Sequence, residues 1–313
     1  MREGRPSRTA EQNALFRALE SSRLQGERIC DDPLARHFLT WPLTLVMRLA
    51  AIPGGAKFAA SFIDRRWPGV RSSVVARTRW IDDAIATTAN DIEQMVILGA
   101  GFDTRAYRMA VLRAVDVFEI DHPDTQAAKK RVVQRVFPEA PSHVRFVAVD
   151  FRRDDLIDGL RRAGYRDSAR TFILWEGVTN YLTADAVDST LRWCARASAG
   201  SRLLFTYIHR DVLTRPNAFT GTKNLLASLD RAGERLTFGM DPSDVPGYLA
   251  ARGLSLEQDV GAAEYRERYF GAAARTMRGH EFYRLAVVRV GGTVRLDGNR
   301  PGAPEAREER RAG

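Results

Sequence analysis

Residues 97–105 read ILGAGFDTR, an apolar strand-like run that passes directly into Gly99-Ala100-Gly101 and then into a helical stretch. Glycines at such a turn let the backbone approach a ligand closely, and the N-terminus of the following helix offers free N–H groups to an anion. The pattern therefore predicts a ligand-binding turn at the carboxyl end of a strand. A glycine pair alone is weak evidence, because a purely structural turn can have the same sequence.

Acidic residues end the next strand-like runs along the chain. Asp121 ends a run about twenty residues later, where a carboxylate can accept hydrogen bonds from both hydroxyls of a ribose. Asp150 ends the third run, so it could bind an adenine amino group while Phe151 packs on the ring. Glu176 follows a fourth run, where it could bind an α-ammonium or cap the next helix. Strand-end aspartates are also common turn and cap residues, so the structural alternative stays open.

Short β-rich runs alternate with helical patterns from residue 94 onward. Alternation of this kind predicts βαβ units that form a mostly parallel sheet with helices on both faces, an α/β fold of the Rossmann-like type. Thr183 is a predicted N-cap, with Asp185 in the first turn of its helix. The predicted strands are 95–99, 115–121, 144–150, 171–177, 201–208, 254–260 and 282–290, and the predicted crossover helices are 104–112, 123–136, 152–163 and 183–199.

The chain outside this alternation has a different character. Residues 1–90 show helical spacing without a strand signal and are predicted to form a helical cap on a core at 91–290. A polar insertion near 210–242 is a candidate substrate cover, and the tail 291–313 is rich in Gly, Pro and charge, which predicts disorder. The apolar stretch 38–52 is too short to span a bilayer and is predicted to be a buried or lid helix.

Composition excludes several classes of protein. The net charge is +9, but only four of the 48 basic residues are lysines and the arginines are spread along the chain, which disfavours a nucleic-acid partner. Cys30 and Cys194 lie far apart, so neither a zinc site nor a disulfide framework is expected. The polar N-terminus lacks the apolar region of a signal peptide. We therefore expect a cytoplasmic protein with a small-molecule partner, no metal and no membrane partner.

Four motifs together resemble the leucine carboxyl methyltransferase family and its bacterial relatives, which include polyketide-tailoring O-methyltransferases. The motifs are VILGAGFDTRAYR (96–108), FEIDHP (118–123), VAVDF (147–151) and WEGVTNYL (175–182). The similarity extends over roughly residues 8 to 290. It implies a class I methyltransferase fold, with a seven-stranded sheet whose last strand is antiparallel and N-terminal helices that close over the site. It also implies S-adenosyl-L-methionine as the cofactor.

The resemblance also implies roles for individual residues of the cofactor site. Gly99 would lie against the amino acid part of the cofactor, Asp121 would hold its ribose and Glu176 would line its methionine end. A guanidinium can fork onto two oxygens, so an arginine suits the cofactor carboxylate. The implied set comprises Arg77, with Arg17 as a second carboxylate ligand, together with Gly99, Gly101, Asp103, Asp121, Asp150, Phe151 and Glu176.

The nature of the methyl acceptor decides which catalytic residues are needed. A carboxylate acceptor is already ionised at neutral pH, whereas a phenol with a pKa near 10 benefits from a general base such as His209. Tyr181, Asn180 and Arg105 follow strand ends on the cofactor side and are candidates for holding an acceptor carboxylate. His209 could equally be a capping residue.

Four functions remain open at this point. The first is a small-molecule O-methyltransferase acting on a carboxylate or phenol of a natural-product or polyketide-like compound. The second is a protein or modified-tRNA carboxyl methyltransferase, and the third is a cofactor-binding protein without catalysis. A nicotinamide oxidoreductase is disfavoured because Thr104 occupies the third small-residue position of its glycine fingerprint.

Overall fold

A seven-stranded sheet forms the centre of the computed structural model, which describes residues 8–52, 54–139, 141–150 and 154–291. The strand order is β3-β2-β1-β4-β5-β7-β6. Strands β1 to β5 pair in parallel, and β7 is antiparallel to both of its neighbours, as predicted. The strands are β1 (Gln94–Leu98), β2 (Asp116–Asp121), β3 (Val144–Ala148), β4 (Thr171–Trp175), β5 (Arg202–Ile208), β6 (Leu254–Gly261) and β7 (Tyr283–Val290).

Both faces of the sheet are covered by apolar side chains. Successive residues of a strand point to opposite faces, so Val96 and Leu98 join one apolar cluster while Met95 and Ile97 join the other. Every residue of β1 and β4 is buried. Continuous apolar runs are therefore required at these central strands, which explains why the sequence shows no alternation there.

Helices before and between the strands supply the outer layers. They are α1 (Arg8–Ser21), α2 (Leu43–Ala50), α3 (Gly55–Arg66), α4 (Val70–Thr88), α5 (Arg105–Arg108), α6 (Pro123–Val136), α7 (Leu156–Arg162), α8 (Ala184–Cys194), α9 (Asp211–Thr214), α10 (Thr222–Ala232), α11 (Val245–Ala250) and α12 (Ala262–Phe270). The predicted helix at 123–136 is confirmed at both ends. The Thr183 hydroxyl accepts a hydrogen bond from the Ala186 N–H at 3.2 Å, which confirms that N-cap.

Three predicted helices are shorter than expected, and one of them, predicted at 183–199, ends at Cys194. The segment 104–112 divides into α5 and a 3-10 turn at Ala110–Leu112, because Met109 between them is extended. Helix α7 begins at Leu156 because the Asp155 carboxylate caps it by accepting hydrogen bonds from two backbone N–H groups. Residues 152 and 153 of that prediction lie outside the described residues.

The first four helices cover the turn that follows β1. Helix α1 buries Ala14, Leu15, Ala18 and Leu19 in a cluster that also holds Phe102. The predicted 38–52 segment contains a 3-10 turn and α2, and Leu49 of α2 is 56% exposed. The prediction that the 38–52 segment is a buried helix is therefore wrong for the outer face of α2.

The insertion after β5 extends towards the start of the chain. It contains α9 and α10, and Glu234 beyond α10 accepts a hydrogen bond from the Thr9 hydroxyl of α1 at 2.6 Å. In the described part of the chain, no helix has the length and apolar character needed to cross a bilayer. The tail predicted to be disordered lies outside the described residues from position 292 onward.

A close backbone contact fixes the loop before β7 against the start of α4. Gly69 and Gly279 have φ angles of +78° and +91°, and a Cβ added to Gly69 would lie 2.0 Å from the Gly279 carbonyl oxygen. Any side chain at either position would clash with backbone and would also be strained in the left-handed region. This contact sets the position of His280, which follows Gly279.

We predict that Gly69→Ala lowers the free energy of unfolding by about 2 kcal/mol or more, because both the clash and the φ strain are unfavourable. Gly26→Ala is the matched control, since a Cβ at Gly26 meets nothing within 4 Å. Urea denaturation of both variants measures the difference. Equal midpoints for the two variants would contradict this account of the contact.

Candidate active site

The glycine turn after β1 lies beside the end of β2. Gly99 has φ +66°, and a Cβ there would lie 2.4 Å from Cγ2 of Val178, so only glycine fits. Gly101 has φ +43°, and its N–H donates to Oδ2 of Asp121 at 2.5 Å. A Cβ on Gly101 would lie 3.5 Å from the Cβ of Ala10, which places α1 directly over the turn.

Asp121 ends β2 and remains partly exposed at this edge. Its Oδ1 accepts a second backbone hydrogen bond, from the His122 N–H at 2.7 Å. Burial raises the pKa of Asp121 despite these two donors. A carboxylate oxygen has more than one acceptor site, so the carboxylate can still accept hydrogen bonds from a pair of hydroxyls. The predicted ribose ligand is thus located beside the glycine turn.

The end of β3 lies next to the end of β2. The Val149 N–H donates to the Asp121 carbonyl at 3.0 Å, which brings the partly buried Asp150 to the same edge. The Asp150 N–H donates to the Asp154 carboxylate at 2.8 Å. Phe151, the predicted adenine partner, lies outside the described residues.

Glu176 follows β4 and is held between two buried arginines. Its Oε1 accepts from Nε of Arg77 at 2.7 Å, and its Oε2 accepts from Nη1 of Arg105 at 2.9 Å. Burial alone would raise the pKa of Glu176, but the Arg105 and Arg77 charges outweigh burial and lower it. Glu176 is therefore a carboxylate at neutral pH, at the edge where the sequence predicts it.

Arg77 projects from α4 and is only 3% exposed. Its guanidinium carbon lies 4.6 Å from the ring centroid of Tyr283, which adds a cation–π contact to the Glu176 ion pair. Among the described residues, the hydrogen bonds of Arg77 use Nε alone, so its two terminal nitrogens are available to a carboxylate. This geometry suits the predicted carboxylate-binding role, with an ammonium-binding acid beside it.

Arg105 is committed to carboxylates of the protein itself. Its guanidinium binds Asp82 of α4 at 2.8 Å, Asp103 of the turn and Glu176. The guanidinium is 3% exposed, and its Nε and Nη1 already pair with carboxylates of the protein, which argues against Arg105 as a ligand of the acceptor. Both Asp103 oxygens accept hydrogen bonds from Arg105. Burial would raise the pKa of Asp103, but Arg105 outweighs it and the pKa falls to about 2.

Arg17 is engaged elsewhere as well. Its Nε pairs with the buried Asp32 at 2.8 Å, and its Nη2 donates to the Phe102 carbonyl at 2.7 Å. These contacts attach α1 to the residue that follows the glycine turn. Arg17 therefore positions α1 of the helical cap and does not present a free guanidinium to a ligand carboxylate.

Tyr181 and Asn180 lie where α1 and the insertion meet the end of β4. The Tyr181 hydroxyl lies near the side chains of Thr9 and Asn180, and burial raises its pKa, so the phenol stays protonated. The Asn180 carbonyl accepts from the Thr237 N–H at 2.8 Å. Oδ1 of Asn180 is buried and has no hydrogen-bond partner among the described residues. Both side chains thus border the covered end of the sheet.

His209 begins the insertion and caps α9. Its Nδ1 accepts from the Asp211 N–H at 3.1 Å, and its ring contacts Phe219 at 5.3 Å between centroids. Nε2 lies 4.0 Å from a carboxylate oxygen of Asp241. The structure therefore gives His209 a capping function, and Nε2 is the nitrogen left for any proton transfer.

Sequence reasoning missed the group formed by Thr206, His280 and Tyr283. The Thr206 hydroxyl accepts from the Gly177 N–H at 2.8 Å and lies 3.2 Å from the Tyr283 hydroxyl. The His280 ring stacks on Tyr283 at 5.2 Å, and its buried Nδ1 has no hydrogen-bond partner within the described chain. An antiparallel final strand starts at the edge where the parallel strands end, and this signal could have located the group.

The cofactor implied by the resemblance fits the residues present. Gly99 and Gly101 are partly exposed at the turn, Asp121 offers acceptor sites, and the Arg77–Glu176 pair matches the two charges of an amino acid. Along this edge of the sheet the order is the Arg77–Glu176 pair, then Asp121, then Asp150. This order matches the amino acid, ribose and adenine parts of the cofactor. The described residues contain no group of three His, Cys, Asp or Glu side chains that could hold a metal.

Comparisons with known proteins agree with this fit. The model of the leucine carboxyl methyltransferase family matches residues 10–195. A Streptomyces coelicolor protein named as an S-adenosyl-L-methionine-dependent methyltransferase is 32% identical over 86% of this chain and 89% of its own length. A similarly named Frankia alni protein is 37% identical over 64% of this chain and 68% of its own.

A solved structure shows the same fold. It is described as a methyltransferase from Thermobifida fusca, and it matches with a TM-score of 0.58 at 15% sequence identity. The match covers 92% of this chain and 96% of that one. The fold is therefore shared with a protein of very different sequence.

We predict that Arg105→Met lowers the free energy of unfolding by about 3–5 kcal/mol, because three carboxylates in a low-dielectric environment lose their shared cation. Arg161→Met is the control, since Arg161 and its partner Asp167 are both more than half exposed and such pairs contribute less than about 1 kcal/mol. Urea denaturation at neutral pH measures both. A loss of under 1 kcal/mol for Arg105→Met would contradict the proposed anchoring role.

We also predict that His280 lowers stability in mild acid. Burial and the nearby Arg77 lower its pKa from 6.5 to about 3, so below pH 6.5 the unfolded chain binds a proton that the folded chain excludes. This group should then reduce the free energy of unfolding by up to about 1.4 kcal/mol per pH unit between pH 6.5 and 3. Asparagine tolerates the left-handed φ of +68° and has no titrating ring.

Denaturation of His280→Asn at several pH values tests this. The His280 variant should lose less stability than the wild-type protein as the pH falls. Parallel slopes for wild type and His280→Asn would show that the folded protein accepts the proton.

Proposed function

The chain belongs to the leucine carboxyl methyltransferase family, and we propose that it methylates an oxygen atom of a small natural-product or polyketide-like molecule. At the level of reaction class it is an S-adenosyl-L-methionine-dependent methyltransferase. The acceptor oxygen that we propose belongs to a carboxylate or a phenolic hydroxyl. We place the reaction in the cytoplasm, in keeping with the two buried free cysteines.

The observation that carries the cofactor assignment in this proposal is the ion pair between buried Arg77 and half-buried Glu176 at the end of β4. The terminal guanidinium nitrogens of Arg77 would bind the cofactor carboxylate in a forked geometry, and Glu176 would bind the α-ammonium. Arg105 would keep Glu176 ionised and oriented for that contact. The pair is therefore arranged for an amino acid zwitterion before any ligand arrives.

The remaining cofactor residues follow along the same edge. Gly99 and Gly101 would allow the backbone to lie against the ligand, Asp121 would accept hydrogen bonds from the ribose hydroxyls, and Asp150 with Phe151 would bind the adenine. We assign Asp103 to holding Arg105 and not to direct contact with the cofactor. When bound, S-adenosyl-L-methionine supplies the methyl group that the acceptor oxygen attacks in line.

The cover favours a small acceptor. The hydrogen bond between Thr9 and Glu234 joins α1 to the insertion, and Tyr181 lies beside both. Gly177, Thr206 and Tyr283 supply small and aromatic surface next to Glu176. A covered site of this kind excludes water and orients a small molecule, whereas a protein or tRNA substrate would need an open mouth.

The titratable groups near the cover limit the acid–base chemistry. Tyr181 stays protonated because burial raises its pKa, so it would donate a hydrogen bond to an acceptor oxygen and would not remove a proton. A carboxylate acceptor needs no base, and a phenol would need one, for which Nε2 of His209 is our candidate. Either acceptor is compatible with a chain that aligns the oxygen and excludes water.

We predict that Asp121→Asn weakens binding of S-adenosylhomocysteine about 10- to 100-fold, because hydrogen bonds to a charged group contribute about 1.5–3 kcal/mol. Asp116→Asn is the control, since Asp116 starts the same strand at the opposite edge and pairs with Arg145 at 3.1 Å. Calorimetric titration, with NAD as a second ligand, measures each affinity. Unchanged binding by Asp121→Asn would remove Asp121 from the site.

Transfer of a labelled methyl group to a panel of carboxylic acids and phenols tests the acceptor class. An ester product is hydrolysed by mild base and an aryl ether survives it, so the two acceptor types are distinguished. Tight cofactor binding together with methylation of only a protein, a tRNA or a nitrogen atom would refute the small-molecule O-methylation proposal.

A further inference from the structure

Large apolar side chains are exposed on one part of the helical cover. Of the eight large hydrophobic residues exposed in the described chain, six lie between positions 41 and 62. Phe58 is 76% exposed and Trp41 is 71% exposed. We call these six residues the apolar hairpin face: Trp41, Leu45, Leu49, Ile52, Phe58 and Phe62. Scattered exposed residues need no explanation, but a cluster of this size on one helix pair does.

Helical spacing places four of the six residues on two stripes. Leu45 and Leu49 are four residues apart on one side of α2, whereas Trp41 precedes the helix and Ile52 follows it. Phe58 and Phe62 have the same spacing on α3. The opposite sides, with Ala50 and Ile63 buried, pack into the cluster that also contains Phe102. The apolar hairpin face is thus the outward side of two helices whose inward sides are already used.

Basic side chains accompany this face. Arg48, Lys57, Arg65 and Arg66 are all exposed. On α3 they lie next to the phenylalanines, since Arg65 is three residues after Phe62 and Lys57 directly precedes Phe58. The acidic residue within 41–66 is Asp64, which is paired with Arg71 at 2.6 Å. Within residues 41–66 the exposed charge is therefore positive.

We propose that the apolar hairpin face docks the protein on an anionic phospholipid membrane surface. Aromatic and leucine side chains would enter the boundary between headgroups and acyl chains, while the adjoining lysine and arginines bind lipid phosphates. The stretch is too short to span a bilayer, but a helix pair that lies in the plane of the interface needs no spanning length. Peripheral attachment thus replaces the expectation of no membrane partner.

Charge argues against a second copy of the chain as the occupant. A two-fold dimer would place the same face of each protomer against the other, so two positively charged faces would meet. Like charges brought together in a partly desolvated contact oppose association. An anionic lipid surface satisfies the apolar and the basic residues together.

Sedimentation of the full-length protein with vesicles tests the proposal. We use vesicles of phosphatidylcholine alone and of phosphatidylcholine mixed with phosphatidylglycerol. Wild type should bind the mixed vesicles at least about tenfold more tightly, because each surface Lys or Arg contributes about 1 kcal/mol at an anionic membrane. The double variants Phe58→Ser/Phe62→Ser and Lys57→Glu/Arg65→Glu should each reduce that binding at least about tenfold.

The matched control is Leu24→Ser/Val111→Ser, which removes two exposed apolar residues outside the apolar hairpin face and should bind as wild type does. Thermal melts and cofactor titration establish that each variant is folded. Unchanged vesicle binding by either hairpin variant, or equal binding to both vesicle types, overturns the proposal. The proposal is also overturned if ultracentrifugation shows that the wild-type protein forms a dimer that does not bind vesicles, and that Phe58→Ser/Phe62→Ser abolishes this dimer.

Discussion

The buried guanidinium of Arg105 connects three parts of the chain that are distant in sequence. It binds Asp82 on α4, Asp103 in the turn after β1 and Glu176 after β4. A cation in a nearly water-free environment requires such partners, and each carboxylate requires the cation in return. The relative positions of the cover, the glycine turn and the end of β4 therefore depend on one side chain.

This constraint links the side chains of the candidate cofactor site to one another. Arg105 occupies one oxygen of Glu176, and the other oxygen binds Arg77, which lies over the ring of Tyr283. Tyr283 belongs to the antiparallel strand and is held by Thr206 and the stacked His280. Because these side chains are fixed by one another, little ordering is left for the ligand to impose.

The helical cap formed by α1 to α4 has two distinct faces. Its inward side attaches to the glycine turn through Arg17 and the apolar cluster around Phe102, and this side packs over the turn that follows β1. Its outward side carries the exposed aromatic and basic residues of α2 and α3. Attachment of the outward side to a surface would keep the covered site next to that surface, which suits an apolar acceptor.

The sequence by itself determined the strands, their order of appearance and the chemical type of each strand-end residue. The apolar runs that make β1 and β4 are unambiguous because both faces of the sheet are buried there, and Gly99, Asp121 and Glu176 follow from strand ends alone. Only the tertiary structure decided which arginine keeps its terminal nitrogens available for a ligand carboxylate. Arg77 and Arg105 look alike in sequence, but the second is surrounded by three carboxylates from elsewhere in the chain. The sequence also did not indicate that His280 and Tyr283 lie beside Glu176. Long-range packing brings these residues together, and local sequence does not encode such contacts.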